Sequence, residues 1–271
     1  MESFYNKKRG CLSDMPNFAA NISMMFNEYE FLDRFSAAAA AGFRAVEFLF
    51  PYEYSAEEIK TRLDKFELKQ VLFNTYPGDW EKNERGLASI PGREGEFEQA
   101  VDLALDYAEV LENQHIHAMS GLVKNRSDFQ KHRTTLVENL KRAAPVAAAR
   151  GKSLIIEPIN TRDIPGYFLN YQNQARRIIE DVAAENVKLQ FDLYHCQIME
   201  GDLAEHLKEF LDITVHMQIA GTPGRHEPNI GEINYKYLFQ LMDQLGYDGW
   251  VGCEYRPKGE TVAGLGWMQD M

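Results

Sequence analysis

The fold is decided by residues 153–193, SLIIEPINTRDIPGYFLNYQNQARRIIEDVAAENVKLQFDL. This stretch begins and ends with short apolar runs, SLIIEPI (153–159) and KLQFDL (188–193), and a helix-like segment over 170–185 lies between them. Nearly continuous apolar runs of this length are typical of parallel strands that are buried on both faces. The stretch therefore predicts a strand–helix–strand unit whose two strands run parallel.

The same alternation continues in both directions along the chain. We predict six further strands: FAANI (18–22), AVEFLF (45–50), KQVLFN (69–74), HIHAM (115–119), TVHMQI (214–219) and WVGCEY (250–255). Further helices are predicted over 29–41, 55–66, 95–111, 127–150, 202–211 and 234–245, and Ser55 with Glu58 has the pattern of a capping box. Eight strands with helical segments between them, in about 250 residues, indicate a single (β/α)8 TIM barrel of the α/β class. A doubly wound open sheet is the alternative, but its usual glycine-rich turn after the first strand is missing.

Composition limits the classes of function. The chain has 271 residues, with 29 Lys+Arg against 41 Asp+Glu, which gives a formal net charge of −12. This acidity argues against unspecific binding to nucleic acid or to anionic membranes, and no apolar run is long enough to predict a membrane span. The three cysteines are too few and too scattered for a disulfide framework, and the N-terminus has no signal-peptide pattern. We therefore expect a cytoplasmic protein with reduced thiols.

The expected organisation is simple. Residues 16–271 are assigned to one barrel domain, and residues 1–15 to a loose N-terminal extension. No proline- or serine-rich linker and no block of like charges divides the chain. A homo-oligomer is compatible with this organisation.

Four polar side chains lie late in the last four predicted strands. They are Glu157, Asp192, Gln218 and Glu254. A charged side chain in an apolar strand costs several kcal/mol unless it is paired or metal-bound, although any single one could be a satisfied structural carboxylate. Because the carboxyl ends of barrel strands converge on one pocket, the four together predict a shared site.

A cation would resolve the repulsion between the three carboxylates of this group. Together with the amide oxygen they form an all-oxygen ligand set, which suits Mg²⁺ or Mn²⁺. Zinc would be favoured by an imidazole, which His195 could supply. We therefore predict a divalent-metal site, most simply a magnesium site.

Other polar residues at the strand ends are candidates for binding a substrate. Those we select are Glu47, Asn74, His195, His216, Arg225 and His226. An isolated histidine in an apolar strand more often bonds to a neighbour than takes part in chemistry, and this explanation also covers His216. Arg225 and His226 lie in the Gly/Pro-containing segment 221–234, where cations beside a metal site indicate anion binding. The long irregular stretch 75–93 predicts a lid or a binding loop.

Eight segments together resemble the hydroxypyruvate isomerase family within the xylose isomerase-like TIM barrels. They are FAANISMMF, GFRAVEFLFPY, FNTYPGDW, GLASIPGRE, IIEPIN, QFDLYHCQ, HMQIAGTPGRHEPNIGEINY and GCEYRPKG, between Phe18 and Trp267. The resemblance implies that Glu157, Asp192, Gln218 and Glu254 bind the metal and that the two glutamates transfer the proton. Because the related ketose 3-epimerases usually have histidine at the position of Gln218, it favours the isomerases of hydroxy-keto acids.

The reaction that this resemblance implies is an aldose–ketose type isomerisation of hydroxypyruvate or of 2-oxo-tetronate. A proton leaves one carbon and returns to its neighbour through an enediolate, whose oxyanion a divalent ion stabilises. His195 and His216 would then bind substrate oxygens, and Arg225 with His226 the carboxylate. The alternatives are a ketose 3-epimerase and a non-catalytic sugar-acid binding barrel on the same scaffold. An abasic-site nuclease of the endonuclease IV type is disfavoured by the charge of −12.

Overall fold

Eight parallel strands close into a barrel in the computed structural model, which describes residues 16–270. The strands are β1 Asn17–Asn21, β2 Ala45–Glu47, β3 Lys69–Asn74, β4 His115–His117, β5 Ser153–Ile156, β6 Val187–Asp192, β7 Thr214–Ile219 and β8 Trp250–Cys253. Each strand pairs with the next, and β8 pairs with β1. The predicted (β/α)8 class is thus confirmed, whereas the extension predicted for residues 1–15 lies outside the described residues.

The helices surround the barrel. They are α1 Phe31–Ala40, α2 Ala56–Lys65, α3 Glu94–Val110, α4 Phe129–Ala149, α5 Gln172–Val182, α6 Leu193–Met199, α7 Leu203–Phe210, α8 Tyr235–Gln244, α9 Thr261–Gly264 and α10 Trp267–Asp270. Two 3-10 turns, Arg126–Asp128 and Leu211–Ile213, precede α4 and β7. The capping box at Ser55 and Glu58 is formed as predicted. No helix within residues 16–270 is both long and apolar enough to cross a membrane.

Helix α6 was not predicted, and it begins without any connecting loop after β6. The side chain of Asp192, the last residue of β6, accepts hydrogen bonds from the backbone N–H groups of Tyr194 (2.7 Å) and His195 (3.3 Å). An aspartate in this position satisfies backbone donors that a helix start otherwise leaves unpaired. The end of β6 and the start of α6 therefore form one continuous structural unit.

Several strands end earlier than predicted, and β5 and β8 are among them, so Glu157 and Glu254 each follow a strand by one residue. After Glu157 the chain continues with Pro158, which has no N–H group to extend the ladder. After Glu254 the backbone N–H of Arg256 donates instead to the carbonyl of Arg225, at 2.7 Å. Both glutamates consequently lie at the rim of the barrel.

The interior of the barrel is polar towards the carboxyl ends of the strands. Phe18 packs outward against Phe239 of α8 (ring centroids 5.3 Å apart), so alternation along β1 directs Asn21 inward. A Cβ atom added to Gly252 of β8 would lie 2.2 Å from Oε2 of Glu47. A glycine inside this strand therefore makes room for a buried carboxylate.

Candidate active site

Three carboxylates and one imidazole meet at the carboxyl end of the barrel. Ligand atoms of Glu157, Asp192, His195 and Glu254 lie within 4.8 Å of one another, and all four residues are buried. Glu157 follows β5, Asp192 ends β6, His195 lies in the first turn of α6, and Glu254 follows β8. The sequence prediction had placed these residues on converging strand ends, and the structure brings them together.

Burial shifts the proton equilibria of the cluster. It raises the pKa of Glu157 well above its usual value, and the charges of Glu254 and Asp192 raise it further. Burial also raises the pKa of Glu254 to about 8 and that of Asp192 to about 6, although Arg225 opposes both shifts. The pKa of His195 is lowered well below its usual value by burial, which favours the neutral ring. In the absence of a bound cation, the carboxyl groups therefore tend to hold protons.

The donor atoms of the cluster fit a divalent ion. Oε1 of Glu157 and Oδ2 of Asp192 are buried without a hydrogen-bond partner among the described residues. Unpaired buried oxygens are costly, and a cation would satisfy them. The residues present thus fit a metal with oxygen ligands.

The hydrogen bonds of His195 decide how it can take part. Its Nδ1 accepts from Nδ2 of Asn160 at 2.6 Å, and the Asn160 carbonyl oxygen is fixed because it accepts from the backbone of Asp163. In the neutral ring the proton therefore lies on Nε2. Nε2 is 3.8 Å from Oε1 of Glu157 and 3.6 Å from Oδ2 of Asp192. His195 is thus arranged to donate a hydrogen bond into the site, which leaves an all-oxygen set for the metal.

The amide of Gln218 lies on the wall of the same cavity and belongs to a buried network. Its Nε2 donates to Oε1 of Glu47 at 2.7 Å, and its Oε1 accepts from Gln190 at 2.6 Å. Glu47 also accepts hydrogen bonds from His216 Nε2 at 2.6 Å and from Asn21 at 3.0 Å. Because a carbonyl oxygen has two lone pairs, the Gln218 oxygen retains one acceptor site beyond its bond to Gln190.

Arg225 is already engaged by acidic side chains. Its Nη2 lies 2.5 Å from Oε2 of Glu254 and 4.0 Å from Oδ2 of Asp192, and its Nη1 lies 3.2 Å from Oδ2 of Asp163. The backbone has a φ of 55°, in the left-handed region that residues other than glycine rarely adopt. These contacts explain how the strained conformation is held.

A cavity of about 300 Å³ opens above the cluster. Of the residues selected from the sequence, it is lined by Glu47, Asn74, Glu157, His195, Gln218, Arg225 and Glu254. Asp192 belongs to the cluster but is not among the lining residues. His216 does not line the cavity, but its Nε2 donates to Glu47, which does. His226 also lies apart from it, and its Nδ1 donates to the carbonyl of Arg256 at 2.9 Å.

Several residues that the sequence did not select also contribute to this region. They are Asn21, Trp80, Arg85, His117, Asn160, Asp163 and Arg256. Asn21 is a polar residue at the end of a buried strand, so the rule that found Glu157 could have found it. The loop residues have no such periodic signal, because their place depends on the path of the loop.

The predicted binding loop 75–93 contributes directly to the cavity wall. It has no helix or strand of its own, and its residues Trp80 and Arg85 line the cavity. The Trp80 ring packs against Phe50, with centroids 5.3 Å apart, and the Arg85 guanidinium lies 3.8 Å above the Trp80 ring. The loop is therefore in a position to affect which molecules the cavity accepts.

Known proteins resemble this chain over nearly its whole length. The family model of the xylose isomerase-like TIM barrel matches residues 35–271. A 2-oxo-tetronate isomerase of Cupriavidus necator is 59% identical over 255 residues, which cover 94% of this chain and 98% of that protein. A hydroxypyruvate isomerase of Escherichia coli is 48% identical over 254 residues, with 94% and 98% covered.

A solved structure agrees with these sequence matches. The crystal structure of an AP endonuclease, family 2, from Brucella melitensis superimposes with a TM-score of 0.93 at 49% identity, covering 94% of this chain and 99% of that one. Fold, full-length coverage and sequence identity thus agree. The chain belongs to the xylose isomerase-like TIM barrel family and is an isomerase of the group that includes hydroxypyruvate isomerase and 2-oxo-tetronate isomerase.

Proposed function

We propose that the protein is a divalent-metal-dependent isomerase of a small hydroxy-keto acid. The reaction converts hydroxypyruvate to 2-hydroxy-3-oxopropanoate, or 2-oxo-tetronate to 3-oxo-tetronate. The observation that carries the proposal is the buried cluster of Glu157, Asp192 and Glu254 beside a small cavity. The isomerase names of the relatives at 59% and 48% identity support the same class of substrate.

In this proposal the metal is held by Glu157, Asp192, Glu254 and the amide oxygen of Gln218. Their oxygen atoms favour Mg²⁺, with Mn²⁺ as the alternative. When bound, a divalent ion supplies a Lewis acid that stabilises negative charge on substrate oxygens. The unpaired oxygens of Glu157 and Asp192 support this arrangement.

Glu157 and Glu254 transfer the proton between the two neighbouring carbons. Oε1 of Glu157 has no hydrogen-bond partner among the described residues. Glu254 is instead held in place by Arg225 at 2.5 Å and by Asn21 at 3.2 Å. One carboxylate removes the proton from the carbon that bears the hydroxyl group, and the other returns a proton to the former carbonyl carbon. The hydroxyl proton passes to the former carbonyl oxygen, so that the hydroxyl becomes the new carbonyl and the old carbonyl becomes a hydroxyl.

The other polar residues bind or position the substrate. His195 donates a hydrogen bond from its Nε2–H group to a substrate oxygen, because its Nδ1 already accepts from Asn160. Asn74 and Glu47 line the cavity and contribute hydrogen-bonding groups for the substrate. His216 is a positioning residue that acts through Glu47. His226 donates to the Arg256 carbonyl in this structure. To bind the substrate carboxylate, as the sequence predicts, its side chain would have to rotate away from that carbonyl.

A coupled assay on hydroxypyruvate and 2-oxo-tetronate tests the proposal. We expect turnover that EDTA abolishes and that Mg²⁺ or Mn²⁺ restores. Glu157→Gln and Glu254→Gln should each lower kcat by about 100- to 10,000-fold, the usual contribution of a general acid or base. Glu81→Gln, an exposed position, is the matched control. Activity within threefold of wild type in either active-site variant, or turnover that EDTA leaves intact, contradicts the proposal.

Two other activities are separated by the same assay format. A ketose 3-epimerase would act on fructose or psicose under the same metal conditions, but the arginines that line the cavity favour an anionic substrate. An endonuclease, the activity named for the Brucella melitensis protein, would cut DNA that contains an abasic site. The net charge of −12 disfavours that activity, because DNA binding needs a basic surface. Preference for either substrate over both keto acids would replace the proposal.

A further inference from the structure

Three arginines line the cavity: Arg85, Arg225 and Arg256. Arg225 is the one selected from the sequence for the substrate carboxylate, yet it is paired with Glu254 and Asp163 and lies 4.0 Å from Asp192. A cation that already faces three acids contributes little further attraction to an anionic ligand. The carboxylate of a keto acid therefore needs a different partner in the cavity.

Arg85 has the geometry for this role. Its Nη1 donates to the backbone carbonyls of Trp80 (3.0 Å) and Glu84 (2.7 Å), and its guanidinium stacks 3.8 Å above the Trp80 ring. These contacts fix the side chain through carbonyl oxygens and a ring, so they leave its charge uncompensated. Arg85 forms no ion pair with a described residue, whereas the Glu84 carboxylate pairs with Arg93, and burial shifts the pKa of Arg85 downward. Arg85 is therefore an ordered cation whose Nε and Nη2 groups have no hydrogen-bond partner among residues 16–270.

Arg256 is less suited, although it lines the same cavity. It is exposed, whereas Arg85 is half-buried. An exposed cation is screened by water and loses more side-chain freedom on binding, while a braced guanidinium is already ordered. The two groups thus differ in how strongly they can bind an anion from the same space.

We infer that Arg85, braced on Trp80, binds the carboxylate of the substrate and makes the enzyme selective for keto acids over neutral ketoses. This inference rests on the proposed function and adds a carboxylate subsite to it. Arg85 and Trp80 of loop 75–93 line the same cavity as Glu157 and Glu254. In this inference the hydroxyl and carbonyl carbons lie beside the two glutamates and the carboxylate binds Arg85. The planar guanidinium binds both carboxylate oxygens through parallel N–H groups.

The test compares four variants of the metal-loaded enzyme. Arg85→Ala removes the cation, and Arg85→Lys keeps the charge but not the planar guanidinium group. Arg256→Ala removes the other arginine that could bind the carboxylate. Lys82→Ala removes a different cation from loop 75–93. Lys82 is an appropriate control because it is 81% exposed and pairs with Asp79. Steady-state kinetics on hydroxypyruvate give KM and kcat separately. Calorimetry with D-glycerate, an unreactive acid that keeps the carboxylate, gives a dissociation constant without turnover.

Arg85→Ala should raise KM and the D-glycerate dissociation constant by about 10- to 100-fold, the effect of losing a charge-assisted hydrogen bond. Its kcat should change less than threefold, and Arg85→Lys should recover part of the loss. Lys82→Ala should match wild type. Dihydroxyacetone, which carries a hydroxymethyl group in place of the carboxylate, should be turned over by Arg85→Ala and wild type at similar rates. A merely disturbed loop would instead lower turnover of both substrates.

Values of KM and glycerate affinity within twofold of wild type in Arg85→Ala overturn the inference, as does a larger effect in Arg256→Ala. Failure of the proposed function is recognised separately. In that case wild type turns over neither keto acid, whereas glycerate binding that depends on Arg85 still supports an anion subsite.

Discussion

Replacement of Arg225 by methionine should reveal how the apoprotein tolerates three buried carboxylates. The side chain is buried, and it faces Glu254 at 2.5 Å and Asp192 at 4.0 Å. Methionine fills a similar volume but brings no charge, so Arg225→Met removes the compensating cation without opening a large cavity. The perturbation is therefore mainly electrostatic.

The size of the effect follows from the burial of the partners. Above pH 8, where Glu254 (pKa about 8) is ionised in wild type, breaking a buried ion pair by removing one member costs about 3–5 kcal/mol, because the remaining carboxylate loses its compensating charge. The contact with Asp163 adds little, since that side chain is 25% exposed. For a domain of this length we expect the thermal midpoint to fall by about 6–15 °C.

A divalent ion should recover part of this loss, because it supplies the positive charge that Arg225 no longer provides. The assay is thermal unfolding of wild type and Arg225→Met in EDTA and in Mg²⁺. Arg150→Met is the matched control, since its ion pair with Asp106 is on the surface and should cost less than 1 kcal/mol. If Arg225→Met loses no more stability than this control, or if Mg²⁺ stabilises the variant no more than wild type, the electrostatic reasoning is wrong.

Two further measurements address the interior and the cluster. Gly252→Ala should destabilise the protein by about 1–3 kcal/mol, because the new Cβ would lie 2.2 Å from the Glu47 carboxylate. Gly95→Ala is the control, because open space surrounds this position and the substitution should be neutral or stabilising. Equal stability of the two variants contradicts the steric argument. Metal-free protein should lose about 2 kcal/mol between pH 6.5 and 8.5, measured by denaturant unfolding. In this window the folded state keeps a proton on Glu254 (pKa about 8) that the unfolded chain has released, whereas Asp192 (pKa about 6) loses its proton at lower pH. The stability from Glu254 is complete below its unfolded pKa and is lost as pH rises through 8. Saturating Mg²⁺ should flatten the slope, and a stability that rises with pH in EDTA would rule out the retained protons.

The barrel could be predicted because its strands are buried on both faces. Continuous apolar runs mark such strands, and the bounds of β3 and β7 agree with the prediction to the residue. Helix α6 could not be predicted because its sequence, LYHCQIM, has only seven residues and shows no helical periodicity of apolar residues. What starts this helix is the side chain of Asp192, a residue that the sequence had already assigned to metal binding.

The carboxylate positions could also be predicted, but their partners could not. Acids at the ends of apolar strands are conspicuous in a sequence, because burial penalises them. The partners of Gln218 depend on the irregular register of the barrel, which shifts at Val46/Glu47 and at Leu189/Gln190. The engagement of Arg225 depends on a left-handed backbone, which a sequence pattern does not indicate for an arginine.

The separation between the acidic cluster and loop 75–93 has a consequence for how such enzymes diversify. Asp192 and His195 are fixed by the direct passage from β6 into α6, and they do not depend on the loop. The loop in turn contributes Trp80 and Arg85 to the cavity without contributing to the cluster. Exchange of this loop between relatives should therefore change substrate preference and leave the proton-transfer residues intact. One scaffold can then be adapted to a longer or an uncharged substrate by changes in a single surface segment.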